Sequence, residues 1–233
     1  MQALIVLGAL GGFALLVVAI IKANKKQQAA LAASLAQAGF RAVPSVDGEL
    51  EEAFRGLLSR GRASRTPRNI YRYAALDYDL YRFDVAGHDH TETSFAMVFK
   101  RPLFPAFALL PNFKLPGFLN GLVQKLLQSA MAGSGFQQVE VPGKPQFREK
   151  CVLLAKDPRH LLDAIPSYVW ERLAGFPGHL CLQGEGRVLL LLDLVTGKQR
   201  SANNAQTELR RMVDRADVLW SVLRDLQPQN AVV

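Results

Sequence analysis

The sequence predicts an α+β fold: an N-terminal transmembrane helix, then a mostly antiparallel sheet with helices packed on one face. Three observations carry it. From Ala3 to Ile21 every residue is apolar or glycine. Segments of period-two alternation such as Tyr78–Val85 and Glu92–Lys100 follow one another with short turns between them, as in an antiparallel meander. Between and after the strands lie helical patterns, the longest from Ala202 to Leu226 with Leu209, Met212, Val213, Ala216, Leu219, Trp220 and Leu223 at i, i+3, i+4, i+7 spacing. Runs of strands and runs of helices, rather than strict βαβ alternation, are the pattern of α+β domains.

The apolar run comes first. As a helix it would be about 28 Å long, close to the ~30 Å hydrocarbon core of a bilayer. Lys22, Lys25 and Lys26 follow at once, which by the positive-inside rule puts the rest of the chain in the cytosol. A cleaved signal peptide would need a basic start and a small-x-small cleavage site; here the start is Met1-Gln2 and the end is Ile20-Ile21-Lys22. The expected location is therefore the inner membrane of a cell, single-pass, with the C-terminal domain cytoplasmic and the bilayer as a partner through Ala3–Ile21. Gly8 and Gly12 have the spacing that lets two helix backbones approach in lipid, so a weak homodimer through them is a further expectation.

Organisation follows from the same patterns. Residues 1–22 are the anchor and 23–46 a stalk helix and linker, with an Ala/Leu-rich helix from Gln27 to Gly39. Residues 47–131 form a first α+β subdomain. It opens with a helix from Asp47 to Leu58 whose Leu50, Phe54, Leu57 and Leu58 share a face, and continues with strands at Ile70–Tyr73, Tyr78–Val85 and Glu92–Lys100. Within the Pro/Phe-rich stretch 102–118 the prolines forbid a long helix. It reads either as a proline-bounded edge strand in the core or as a lip at a membrane surface, and with only Lys114 and Lys125 near it the core is favoured. An amphipathic helix from Leu119 to Gln128 follows. Residues 132–146 are a linker. Residues 147–228 form a second subdomain of order β-α-β-β-α: a strand over Phe147–Ala155, a helix N-capped by Asp157 with Pro158 as its first residue and a restart at Pro166, a hairpin around Gly184-Glu185-Gly186, and the terminal helix ended by Pro228. Val188–Leu192 is apolar on both faces, the mark of a covered central strand.

The elements Phe147–Leu154, Asp157-Pro158, Pro166, Gly186–Leu190 and the apolar terminal helix, with the Tyr/Phe-rich strand from Tyr78 and the Pro-Phe-Leu exit near Phe113, resemble bacterial single-pass membrane proteins that carry a C-terminal α+β domain of unknown function. The resemblance implies the architecture and a bacterial source. It implies no activity and no site residues.

Composition narrows the function. At 49% hydrophobic and 21% charged, the chain of 233 residues can build a substantial core and is not disordered by composition. A net charge of +8 suits an anionic partner. Its two cysteines, Cys151 and Cys181, read as buried thiols in a reducing compartment; on the oxidising side of a membrane they could pair. No P-loop, G-x-G-x-x-G, G-x-S-x-G or zinc-finger spacing is present, and no cofactor is called for. Two features stand above background. Arg55, Arg60, Arg62, Arg65, Arg68 and Arg72 occur with no acidic residue among them, a basic stretch suited to anionic lipid headgroups or a protein partner; nucleic acid is the less expected occupant of a chain tethered in this way. The other is His88-Asp89-His90, with Asp84 and Glu92 near it, a weak metal-ligand candidate in a predicted turn where polar residues belong anyway. The expectation is a non-catalytic interaction or regulatory module at the inner face of a bacterial membrane. The alternative is a hydrolase-type enzyme with a site near His88 and His90.

Overall fold

A computed structural model describes residues 22–23, 25–58, 66–86, 91–101, 104–112, 135–176, 180–193, 205–224 and 226. A helix over residues 25–37 (α1) leads to strand β1 (Arg41–Ala42), helix α2 (Gly48–Leu58) and four strands, β2 (Pro67–Ala74), β3 (Tyr78–Ala86), β4 (Thr91–Phe99) and β5 (Phe104–Pro111). Then come β6 (Gln137–Val139), α3 (Pro145–Lys150), β7 (Cys151–Ala155), α4 (Pro158–Ala164), α5 (Ser167–Ala174), β8 (Leu180–Gly186), β9 (Val188–Asp193) and α6 (Ala205–Leu223).

The strands form one nine-stranded sheet in the order β1-β2-β3-β4-β9-β8-β5-β7-β6, and every pairing is antiparallel. The meander β2–β3–β4 is as its alternation predicts. The next strand in sequence does not join it. The β8–β9 hairpin, nearly ninety residues downstream, fills the place between β4 and β5. Residues on both sides of the expected linker therefore share one set of ladder hydrogen bonds, and β6 itself lies within 132–146.

The two faces of the sheet are both covered by helices, which corrects the expected one-sided packing. On one face Leu35 of α1, Phe147 of α3, Leu161 of α4, Val169 and Trp170 of α5 and Met212, Ala216 and Leu219 of α6 lie on Leu80, Met97, Phe107, Leu153, Leu182 and Leu189. On the other, Leu50, Phe54, Leu57 and Leu58 of α2 cover Tyr81, Phe83, Val85, Ala96, Val98, Val188 and Leu190. Ala108, Leu110, Leu154 and Cys181 continue that second face towards β7. A sheet buried on both sides needs strands apolar at every position, which explains Leu189–Leu191 and the Phe95–Phe99 run. Aromatic contacts stitch the helical layer to the sheet: Trp170 meets Phe107, Phe107 meets Phe104, Phe104 meets Phe99, and Phe99 stacks on Trp220, which also touches Tyr78.

Local signals account for the helix ends. Asp47 accepts a hydrogen bond from the Leu50 amide at 2.8 Å and Glu49 and Glu51 sit in the first turn of α2, where carboxylates favour the positive end of the helix dipole. Asp157 caps α4 by accepting from His160 N at 3.0 Å, with Pro158 in the first turn. The stretch Phe147–Lys150 is the short helix α3 rather than the start of a strand; Pro145 opens it, and extended backbone begins only at Cys151.

The Pro/Phe-rich stretch contributes β5, and β5 is interior, flanked by β8 and β7, rather than an edge strand. Proline cannot donate to a ladder. The register of β5 against β8 shifts between Phe104 and Phe107, at Pro105-Ala106, so the missing donor falls at the irregularity. Both phenylalanines then face the same core although they are three residues apart. Across the sheet Phe107 is the Cα partner of Gly184, and its ring lies on that glycine: a Cβ there would stand 2.2 Å from Cε1. The hairpin turn itself is Gly186-Arg187, with Gly186 at φ 58°, a conformation open to glycine.

No helix among the described residues is long and apolar enough to cross a membrane. The longest, α6, has 19 residues and carries Glu208, Arg210, Arg211, Asp214, Arg215 and Asp217 along its length. The transmembrane part of the fold expectation, and the membrane assignment built on it, are corrected accordingly: the described chain is an α+β domain. The stretch Ala3–Ile21 that prompted them, with Gly8 and Gly12, lies outside the described residues.

Candidate functional site

Strand β3 places Arg82 and Asp84 two residues apart, so both side chains point to one face of the sheet. They are 6% and 9% exposed, the two buried charged residues among those described. Arg82 Nη2 lies 2.6 Å from Asp84 Oδ1, a short charge-assisted contact. Neighbouring strands complete the cluster. Thr93 of β4 is the Cα partner of Asp84; its hydroxyl donates to Asp84 Oδ1 at 3.2 Å and accepts from Arg82 Nη2 at 3.2 Å. On β2 the register shifts between Arg68 and Tyr71, and the displaced residue Asn69 stands at φ 50°. Asparagine tolerates that left-handed conformation better than most residues. The bulge brings Asn69 alongside Asp84 so that its amide Nδ2 donates to Asp84 Oδ2 at 3.0 Å, while its carbonyl accepts from Arg82 Nη1 at 3.5 Å. Tyr71 places its ring beneath the guanidinium, 5.7 Å from centroid to Cζ.

The chemistry of this corner is that of a clamp. Three groups donate to the Asp84 carboxylate, and the guanidinium engages a carboxylate, a hydroxyl, a carbonyl and a ring. The Asp84 carboxylate and the Arg82 guanidinium spend their hydrogen bonds on each other and on the neighbouring strands. The cluster instead ties β2, β3 and β4 together at a bulge.

Elsewhere, burial holds two groups in their protonated forms. Tyr78 is buried, and burial together with its hydroxyl's 2.5 Å bond to Asp217 Oδ1 raises its pKa far above the usual tyrosine value. Burial pushes the Cys151 thiol up to about 11. Cys151 belongs to the core on the α3–α6 face and Cys181 to the opposite one, and neither is in a disulfide. The sheet between them rules out the disulfide left open in the sequence.

Of the six arginines of the basic stretch, three are described, one on α2 and two on β2. Arg55 ends α2 and pairs with Glu51 at 2.6 Å; Arg72 on β2 pairs with Asp79 at 2.9 Å, and that bond raises its pKa. Arg68 is exposed on β2. Arg60, Arg62 and Arg65 lie outside the described residues, as do His88, Asp89 and His90. Of the acids expected beside those histidines, Asp84 is committed to Arg82. Among the described residues no group of three or more His, Cys, Asp or Glu side chains could hold a metal ion.

No family model and no curated protein matches this chain. A solved structure shares the fold. The crystal structure of the mycobacterial trehalose monomycolate transport factor A, TtfA, superposes with a TM-score of 0.52 over 87% of this chain and 98% of that one. The aligned residues are 15% identical, so the likeness is one of fold alone.

Sequence reasoning missed the Arg82–Asp84 cluster. The signal was there: opposite charges at i and i+2 inside a strand, flanked by Tyr81 and Phe83. Opposite charges at that spacing are equally at home on a solvated face, and only the packed layers bury them. Asn69 carries no signal of its own, since nothing local says that β2 will bulge there.

Proposed function

We propose that this chain is a non-catalytic interaction module that works by holding a protein partner. The observation that carries the reading is the Arg82–Asp84 cluster. The one buried ionised pair described has its hydrogen-bonding capacity taken up by its own neighbours, which suits a structural clamp and not a site that must bind and release substrate. The fold shared with a protein titled a transport factor is consistent with an accessory role beside other proteins. We further propose that the domain resides in the bacterial cytosol, a setting that suits two buried cysteines that are not in a disulfide.

The experiment is chemical cross-linking of the chain in the cells that make it, followed by identification of the cross-linked residue pairs. A reproducible heterologous partner, contacting a defined surface, is the expected result. Turnover of an ester, phosphoester or glycoside by the purified protein, lost in Asp84→Asn with the fold intact, would replace the module reading by an enzymatic one.

A further inference from the structure

Strand β1 is the edge of the sheet, and its Arg41 stands directly opposite Arg72 of β2. Like charges paired across strands destabilise a sheet. Asp79 satisfies Arg72. Neither Arg41 nor Arg68 forms an ion pair with any described residue, and both are exposed. The edge thus carries three arginines against one carboxylate.

Their disposition is as informative as their number. Arg72 is registered on Tyr81, on the α2 side of the sheet, and Arg41 shares that side as its cross-strand partner; Arg68 is registered on Asp84, on the opposite side. Positive charge therefore projects above and below the sheet plane along one margin. A flat surface meets charges on one side of a plane. An extended chain, whose successive side chains alternate between two sides, meets both. Because of the bulge, Arg68 and Arg72 are registered on Asp84 and Tyr81, three residues apart on β3 and about 10 Å along a strand, the span of about four residues of such a chain.

We propose that the β1–β2 margin, through Arg41, Arg68 and Arg72, binds an extended acidic segment of a protein with carboxylates on alternating sides. The proposal rests on the interaction-module reading and deepens it.

The test is fluorescence anisotropy with the full chain and a labelled ten-residue peptide that holds five consecutive Glu, whose carboxylates fall on alternating sides of the extended chain. A peptide of the same composition in which Glu alternates with Ser, so that all five carboxylates fall on one side, serves as control, and vesicles containing anionic lipid and single-stranded DNA are the competing probes. Saturable binding of the peptide with consecutive Glu, tighter than that of the control peptide, is expected. It should be at least tenfold weaker in Arg41→Glu/Arg68→Glu, intermediate in Arg41→Gln/Arg68→Gln, and unchanged in Lys150→Glu/Arg159→Glu, which removes equal charge elsewhere. Absence of saturable binding, equal loss in the control variant, or a preference for vesicles or DNA that disappears with the same arginines would each overturn it. Far-UV circular dichroism of every variant separates lost binding from lost fold. If cross-linking finds a partner seated on another surface, the module reading stands and this site fails.

Discussion

Replacing Asp84 by Ala removes the counter-charge of a guanidinium that is itself almost out of reach of water. The side chains of Arg82 and Asp84 are 7% and 12% exposed, and the contact is 2.6 Å long. Exposed ion pairs contribute about 0–1 kcal/mol. Breaking a buried pair by deleting one partner costs about 3–5 kcal/mol, because the remaining charge is left uncompensated. Asn69 Nδ2 and Thr93 Oγ1 also lose their acceptor, but Asn69 is exposed and can turn to solvent, so its share is small. Asp84→Ala should therefore destabilise the fold by about 3–4 kcal/mol. The double variant Arg82→Met/Asp84→Ala removes the stranded charge while keeping apolar volume, and should recover at least half of that loss. Urea unfolding followed by circular dichroism, with wild type, both single variants and the double, measures the coupling directly. A cost below ~1 kcal/mol for Asp84→Ala, or a double variant as unstable as the sum of the singles, would refute the clamp. The corner would then be a solvated pair open to a ligand.

The contact of Phe107 with Gly184 makes Gly184→Ala an overpacking change. A methyl 2.2 Å from Cε1 and 2.8 Å from Cδ1 must displace a ring hemmed in by Phe104 and Trp170, and a loss of about 2–3 kcal/mol is expected by thermal or urea unfolding. Cys151 should resist a thiol-specific disulfide reagent in the native state at pH 8 and react once the chain is unfolded. Its folded pKa, raised by burial from 9.0 to about 11, means that the native state holds its proton where the unfolded chain has lost it. Stability is accordingly undiminished below pH 9 and declines as pH rises from about 9 towards 11; Tyr78, raised in the same sense, adds to the decline at higher pH. Unfolding midpoints across that range test the sign, and Cys151→Ala should flatten the first part of the curve. Phe54→Ala, at the fully buried centre of the α2 face against Tyr81 and Phe83, should cost about 3–5 kcal/mol, measured by the same unfolding curves.

By itself the sequence determined what depends on neighbours along the chain. Period-two alternation marked β2, β3 and β4 because a strand's side chains alternate whatever lies beyond them. Asp47 and Asp157 marked the starts of α2 and α4 because a cap bonds an amide three residues away. The spacing of Leu209, Met212, Ala216 and Leu219 marked the buried stripe of α6. The antiparallel α+β class followed from these. The hydrophobicity of Ala3–Ile21 alone also suggested a spanning helix, and no described helix supplies one.

Tertiary structure alone decided what depends on which strands meet. Nothing in β4 or β5 says that β9 and β8 will come between them, because the pairing is set by burial across nearly ninety residues of sequence. With that insertion the sheet gains two covered faces, Pro105 is placed at an interior irregularity rather than an edge, and the two cysteines are set on opposite sides. The same burial turns Arg82 and Asp84 from an exposed pair into a clamp completed by a bulged Asn69. Alternation can say which residues share a face; only the packed layers say whether that face meets water.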